Sequence, residues 1–574
     1  MRNNSFENFK TEFEYFYPGT TIQLSDGCLI LHGELDTWDD VVGAGFFAVK
    51  FKNKGVVNKI KLKGFVEPPM HISSIKDEAY HNLHCDVLII GGGIVGCAIL
   101  REFSKYKVNA VLVEKEEDLA LQASSRNDGC VHIGIDISHH TKKQQYLARS
   151  VKNYEKLAND LGVEYHKDGQ TIAFTNNKYR YMILLMKIRA FQNKIPGVQY
   201  LNRREILKLE PNITTEAKYA IHFPSAATIC PYNMTIALAE NAVQNGGKVL
   251  LNTAVLSMLM KDHEIISVET NRGIIYPKVV VNAAGVFSDK VASMADDQFF
   301  SIHPRKGTNT ILDKNSRSYL SNTSLTTYGL AKSHNSTHSK GGGVVPTVDG
   351  NILVGPSAIE TPYREDFTTD ANTVKELFDK HKNTMPRLSP SDIITYFSGV
   401  RASTYEEDFV IEKGRRTKNI VHAAGIQSPG ITAAPAIAED IVMFTQEILN
   451  RKFDINPEFN PKRMVTPSLK KLSSEERDRM IKQNPDYGQI VCRCEEISKG
   501  EIIDAIHRPI PVTTVDGIKR RVRPGMGRCQ GAFCQPLVMK ILATELGCEI
   551  ENINKKGEGR ILLRNTKVND NEKL

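Results

Sequence analysis

At 574 residues the chain is too long for one ordinary core, and three or four folded units are expected. A composition of 41% hydrophobic and 24% charged residues suits a soluble globular protein, and no apolar run approaches the roughly 18–20 residues that cross a bilayer. The net charge of +8, from 74 basic and 66 acidic residues, mildly favours anionic small molecules or surfaces and does not argue for nucleic acid, which is not expected as a partner. Met1-Arg2-Asn3-Asn4-Ser5-Phe6-Glu7 lacks the apolar stretch of a signal peptide. A cytoplasmic location is expected, with room for peripheral association at the inner face of a membrane. In that reducing compartment clustered cysteines are metal ligands more often than disulfides.

In chain order, residues 1–20 are aromatic and polar and are expected to form a flexible arm. Residues 21–80 read as a small α/β unit and a linker. Thr21 to Glu34 alternates around Asp26-Gly27 like two strands, and Trp38 to Lys50 has helical spacing with Val41, Val42, Phe46 and Val49 on one side. A last strand starts at Gly55-Val56-Val57 and runs toward Leu62, and Pro68-Pro69 marks the linker. Residues 81–454 alternate strands and helices as one large α/β region. Residues 455–489 are rich in Pro, Lys, Ser and Glu and read as a linker with one short helix, Ser474–Gln483. Residues 490–550 form a compact unit holding a cysteine cluster, and residues 551–574 are a charged tail expected to fray.

Cys85-Asp86-Val87-Leu88-Ile89-Ile90 is a buried-strand pattern followed at once by Gly91-Gly92-Gly93-Ile94-Val95-Gly96. An amphipathic helix from Ile94 to Tyr106 and a second strand, Ala110 to Val113, complete a βαβ unit that ends at Glu114. Gly91 permits the tight turn, Gly93 lets the backbone approach a pyrophosphate, and Gly96 lets helix and strand pack closely. Free N–H groups at the helix start face the phosphates. Glu114 is placed to bond both ribose hydroxyls, which disfavours a 2′-phosphate. This spacing supports a dinucleotide and leaves FAD and NAD undistinguished.

Four further segments resemble the FAD-dependent amino-acid, hydroxy-acid and glycerol-3-phosphate oxidoreductase superfamily, of the D-amino-acid-oxidase type. They are Ala123 to His132, Val280-Val281-Asn282-Ala283-Ala284-Gly285, Pro346-Thr347-Val348-Asp349-Gly350 with Gly355-Pro356, and Ala424 to Thr432 leading into a helix. The resemblance implies an FAD/NAD(P)-binding Rossmann-like domain with an inserted antiparallel-sheet substrate domain, flanked by a small N-terminal α/β unit and a C-terminal helical unit. It implies FAD contacts from Ser124, Ser125, Asn127 and Gly129 in the first segment and from Ala284 and Gly285 in the second. In the last segment it implies contacts from Gly425, Ser428, Gly430, Ile431 and Thr432. There, Gly and Ser residues ahead of a helix aim N–H groups and a positive dipole end at one point, which in the family faces the flavin's pyrimidine edge. A plain helix cap at Ser428 or Thr432 is the alternative. The N-terminal pattern Gly27, Gly33, Ala44, Ala48, Gly55-Val56-Val57 resembles a BON-type domain, with a family-specific decoration as the alternative.

His132 is the candidate acid/base, because an alcohol that gives up hydride must also lose a proton. Arg401 is the candidate anion clamp, since guanidinium matches carboxylate and phosphate; an internal ion pair with Glu406, Glu407 or Asp408 is the alternative. Arg305-Lys306 reads as a solvated or flavin-side strand end.

Cys492-x-Cys494 is followed after 34 residues by Cys529-x₄-Cys534. Four thiolates hold either an iron–sulfur cluster or tetrahedral zinc. The unit resembles the bacterioferritin-associated-ferredoxin-like [2Fe-2S] domain found on anaerobic-type glycerol-3-phosphate dehydrogenase large subunits, which implies these four cysteines as ligands. Lys519, Arg520, Arg521, Arg523 and Arg528 are expected to balance the cluster's negative charge. The remaining cysteines are scattered and read as small buried hydrophobes.

The expectation is therefore an FAD-dependent dehydrogenase acting on a small anionic hydroxyl substrate. Its electrons leave through [2Fe-2S] to a quinone pathway, a ferredoxin-like carrier or a partner subunit. sn-Glycerol 3-phosphate is the first substrate, ahead of L-2-hydroxyglutarate or another 2-hydroxy acid, with an amine or imino acid third. Ile135-Asp136-Ile137 departs from the glycerol-phosphate pattern. Rivals are a non-catalytic flavin/Fe–S relay and a zinc-stapled flavin oxidase.

Overall fold

The computed structural model describes residues 2–321, 323–328, 342–465 and 468–562. The N-terminus is not a flexible arm: Arg2–Phe16 is helix α1. Phe9 and Phe13, four residues apart and so on one helix face, meet Phe47 with ring centroids 5.3 and 6.0 Å away. Phe13 is fully buried. The aromatics that give this segment its irregular look are thus its packing face.

The next unit follows its sequence pattern. Strands β1 (Thr20–Ser25) and β2 (Cys28–Leu35) form a hairpin whose turn residues, Asp26 and Gly27, both have positive φ, as a two-residue turn requires. Helix α2 (Trp38–Ala48) starts at Thr37, whose side chain accepts from the Asp40 N–H. Strand β3 (Val56–Leu62) returns parallel to β2. The unit is docked on the next domain. Asn58 donates to the Tyr405 hydroxyl at 2.9 Å, and a Cβ at Gly45 would lie 2.2 Å from the Tyr405 ring.

Strand β4 (Leu83–Ile90) lies inside the central sheet, with β5 (Ala110–Val113) parallel on one side and Gly273–Asn282 parallel on the other. Lys248–Leu250 and Ile420–Ala424 extend the parallel set. Burial on both faces explains the apolar runs Val87–Ile90, Ala110–Val113 and Val279–Val281. Helix α3 (Ile94–Phe103), three residues shorter than expected, packs between helices Pro231–Gln244 and Gly430–Ile448 over one face.

The inserted domain is a sheet of nine strands among the described residues. It is antiparallel except where Ser324–Tyr328 runs parallel to Gln170–Phe174. Its long pair, His303–Leu312 with Ile393–Ser403, carries Arg305 and Arg401 opposite one another.

The segment 455–489 holds the expected helix Ser474–Gln483, closed by a Ser473/Glu476 capping box. It also packs on the central α/β domain, where Arg463 and Glu240 form a buried ion pair at 2.9 Å. The terminal unit has its own core of Ile502, Ile518, Val538 and Leu542 between three helices. The tail does not fray at its start. Ile553 is buried, Asn554–Lys556 pairs with Gly559–Arg560, and the Gly557 N–H donates to Glu117 at 2.8 Å. Residues 563–574 lie outside the described residues.

Candidate active site and redox centre

The glycine turn is sterically closed. Gly91 has φ +112°, and a Cβ on Gly96 would sit 1.9 Å from the Gly91 carbonyl oxygen. Only glycines let helix α3 begin this close to β4. The Ile94 N–H donates to Ser124 Oγ at 2.9 Å, tying the 123–132 loop to the helix start. Glu114 accepts from the Gly92 N–H at 2.5 Å and the Glu116 N–H at 3.0 Å. Burial pushes its carboxyl up to about 7 despite those bonds. The carboxylate therefore fixes the turn and still offers lone pairs to a ribose.

A cavity of about 740 Å³ is lined by Gly91, Gly93 and Glu114, by Ser124 and Asn127, by Ala284 and Gly285, and by His132, Arg401, Ser428, Gly430 and Ile431. An acid for a ribose, a helix N-terminus for a pyrophosphate and a second helix N-terminus fit an extended dinucleotide. Five expected contacts do not line it. Gly96 serves the packing just described, and Ser125 turns back toward Gln122. Gly129 (φ +70°) and Gly425 (φ +64°) hold tight turns, where a Cβ would meet the Ile229 oxygen at 2.3 Å and Thr404 at 2.6 Å. Thr432 is buried inside the first turn of helix Gly430–Ile448, where its Oγ1 accepts from the His132 N–H at 3.0 Å.

Ser428 and Thr432 do not cap this helix; both hold His132, whose Nε2 lies 3.2 Å from Ser428 Oγ. Arg401 is half-buried. Its Nη2 donates to the Ser357 carbonyl at 3.1 Å, and Nη1 has no protein partner. The acids that could have neutralised it are engaged elsewhere. Glu406 accepts from the Val56 N–H, Glu407 pairs with Arg305 at 2.7 Å, and Asp408 accepts from the Lys142 and Lys143 N–H groups. Burial lowers the Arg401 guanidinium to about 10, still cationic at neutral pH. Arg305 is not a solvated strand end: it is buried between Glu360, at 2.6 Å, and Glu407.

Two features went unread in the sequence. Glu67, Pro68, Pro69 and Met70, taken only as linker, form a strap along the cavity. Lys115 sits next to Glu114 and pairs with Glu116 at 2.5 Å and Glu365 at 2.6 Å. The Pro-Pro dipeptide signals extended chain but not what the chain covers.

The four clustered cysteines come together as two pairs. Cys494 and Cys529 sulfurs are 3.7 Å apart. Cys492 and Cys534 share a hydrogen bond, which lowers the Cys492 thiol to about 6. Four thiolates in two pairs fit a dinuclear cluster, which takes two thiolates on each iron. Arg520, Arg521 and Arg523 are not free to balance a cluster. The first two bind Asp118 of the central α/β domain, and Arg523 binds Asp349 and Glu495.

A closed glycine turn, a cavity that holds both Arg401 and His132, and a thiolate module define a dinucleotide-binding redox protein. The family profile "FAD dependent oxidoreductase" matches residues 86–443, and "BFD-like [2Fe-2S] binding domain" matches residues 490–544. The chain belongs to the FAD dependent oxidoreductase family; it is an oxidoreductase that uses FAD and carries a [2Fe-2S] domain. It is 37% identical to the glycerol 3-phosphate dehydrogenase of Caloramator mitchellensis over 481 residues, 83% of this chain and 98% of that one. It is 31% identical to the glycerol 3-phosphate oxidase of Mycoplasma pneumoniae over 390 residues, covering 66% of this chain and 97% of the relative. Among solved structures, the dithionite-reduced L-alpha-glycerophosphate oxidase of M. pneumoniae with FAD bound matches with a TM-score of 0.61 at 29% identity, over 67% of this chain and 99% of that one.

Proposed function

We propose that the protein is a dehydrogenase of sn-glycerol 3-phosphate whose electrons leave through a cluster held by Cys492, Cys494, Cys529 and Cys534. They pass on to a partner subunit, a ferredoxin-like carrier or a quinone pathway. The observation that carries this reading is Arg401, which lines the cavity that also holds His132 and pairs with no carboxylate among the described residues. A half-buried cation left without an anion is costly, and a substrate phosphate supplies one. Arg401 holds that anion through charge-assisted bonds. His132, oriented by Ser428 and Thr432, takes the hydroxyl proton at Nε2 as the alcohol becomes a carbonyl. Bound FAD supplies the two-electron acceptor for the carbinol hydrogen. The relatives' names support the substrate class.

A 2-hydroxy acid is the second reading, favoured by Ile135 and Asp136, which line the cavity and depart from the glycerol-phosphate pattern. The test is anaerobic mixing of the holoprotein with glycerol 3-phosphate, 2-hydroxyglutarate and amino acids while following flavin absorbance. Bleaching by glycerol 3-phosphate alone is expected. Bleaching only by 2-hydroxyglutarate selects the second reading, and bleaching by none makes the protein a relay.

A further inference from the structure

Helix Arg180–Gln192 is apolar on two sides. Its inner side, with Met182, Ile183, Met186 and Ala190, packs on a cluster that includes Ile135, Ile172 and Phe174. Its C-terminal Asn193 donates to the Gly134 and Ile137 carbonyls at 2.7 and 3.1 Å, so the helix is firmly seated. Among the described residues nothing covers the outer side. Tyr181, Leu184, Leu185, Ile188 and Phe191 are 62%, 60%, 58%, 48% and 86% exposed. At 3.6 residues per turn these five fall on one stripe. Arg180 and Lys187 run along one border of it, and Lys178 and Arg189 along the other.

The segment that carries the stripe is strongly basic. Residues 176–209 contain eight Lys or Arg and a single acid, Glu205, a formal +7 against +8 for the whole chain. The next acid, Glu210, is buried and accepts from the Ser321 and Thr323 N–H groups. Tyr200, on the neighbouring edge strand, is 41% exposed and lies under the Lys187 ammonium at 4.1 Å.

We propose that this face docks the protein on an anionic phospholipid surface. The five apolar side chains enter the acyl boundary, and the bordering bases meet the headgroups. A bilayer with acidic headgroups has the matching layout, with negative charge outside and apolar matter within. Self-association through a two-fold axis would press two such basic surfaces together, which like-charge repulsion opposes. This proposal is independent of the substrate.

The test is flotation of the FAD-loaded full chain with vesicles of phosphatidylcholine, with or without phosphatidylglycerol. Binding is expected only with phosphatidylglycerol, and it should weaken as salt rises. The double variant L185E/I188E should bind at least about tenfold less, and K187E about fivefold less for the lost positive charge alone, before any repulsion from the added carboxylate. Both variants alter exposed positions, so the flavin spectrum should match the parent's and report that the fold is intact. The proposal is overturned if the parent does not float with anionic vesicles or if both variants float as it does. It is equally overturned if sedimentation shows a parent dimer that L185E/I188E converts to monomer.

Discussion

Replacing Asp118 with Asn is expected to loosen the C-terminal domain from the flavin domain while both stay folded. Asp118 accepts from Arg521 at 2.8 Å through each carboxylate oxygen and from Arg520 at 2.9 and 3.2 Å. The Asp118, Arg521 and Arg520 side chains are 5%, 0% and 11% exposed. Burial alone would raise the carboxyl, but Arg521 and then Arg520 hold it at about 2. A folded pKa below the unfolded one gives stability that is complete above the unfolded value and is lost as pH falls through about 2. The difference is worth about 2 kcal/mol.

The Asn variant costs more, because it strands Arg521 as a buried unpaired cation. About 3–5 kcal/mol is typical, which makes domain opening between about a hundredfold and a few thousandfold more frequent. Asn keeps the oxygen that accepts from the Leu119 N–H, so the flavin-side turn should survive. Hydrogen exchange across helix Val515–Val522 reads the opening. Rapid-freeze EPR after substrate mixing should show slower cluster reduction at an unchanged rate of flavin bleaching. D118N/R521M removes both charges and should recover much of the loss. Unchanged exchange in D118N, or a double variant as damaged as the two singles added together, would refute the reasoning.

Arg401→Ala should raise KM for the anionic substrate by about a hundredfold or more and leave the flavin spectrum unchanged, because it removes a charge-assisted clamp; an unchanged KM sinks the assignment. His132→Gln should lower kcat by about 10²–10⁴ with little change in KM, measured by anaerobic flavin bleaching. Cys494→Ser should abolish iron and the absorbance beyond the flavin bands while FAD and substrate bleaching persist. Retained iron would place the cluster on other ligands.

Local rules served well where the cause was local. The βαβ unit announced itself because a buried strand, a closed turn and a ribose acid must follow one another at fixed spacing, and Glu114 stands where that spacing puts it. The cysteine pairs were visible because a cluster needs thiolates within a short reach. Long-range pairing carried no such mark. Arg401 looked equally suited to a substrate or to Glu406, Glu407 and Asp408. Only the fold gives those acids to Val56, Arg305 and the Lys142–Lys143 backbone. Helix α1 was misread because its aromatic face has meaning only against Phe47.

The run Glu114-Lys115-Glu116-Glu117-Asp118 shows what composition hides. As sequence it is a charged stretch of the kind that usually faces water. In the fold, Glu114 holds the glycine turn, Lys115 and Glu116 pair beside the cavity, Glu117 takes the Gly557 N–H, and Asp118 takes two arginines of the C-terminal domain. The Ala120 N–H then returns to the Gly92 carbonyl at 3.0 Å. One seven-residue segment therefore braces the nucleotide turn at both ends and seats the cysteine domain in between. A shift of that domain bears directly on the backbone that cradles the dinucleotide. Rigid docking at Asp118 thus keeps the electron-collecting and electron-releasing domains in fixed register.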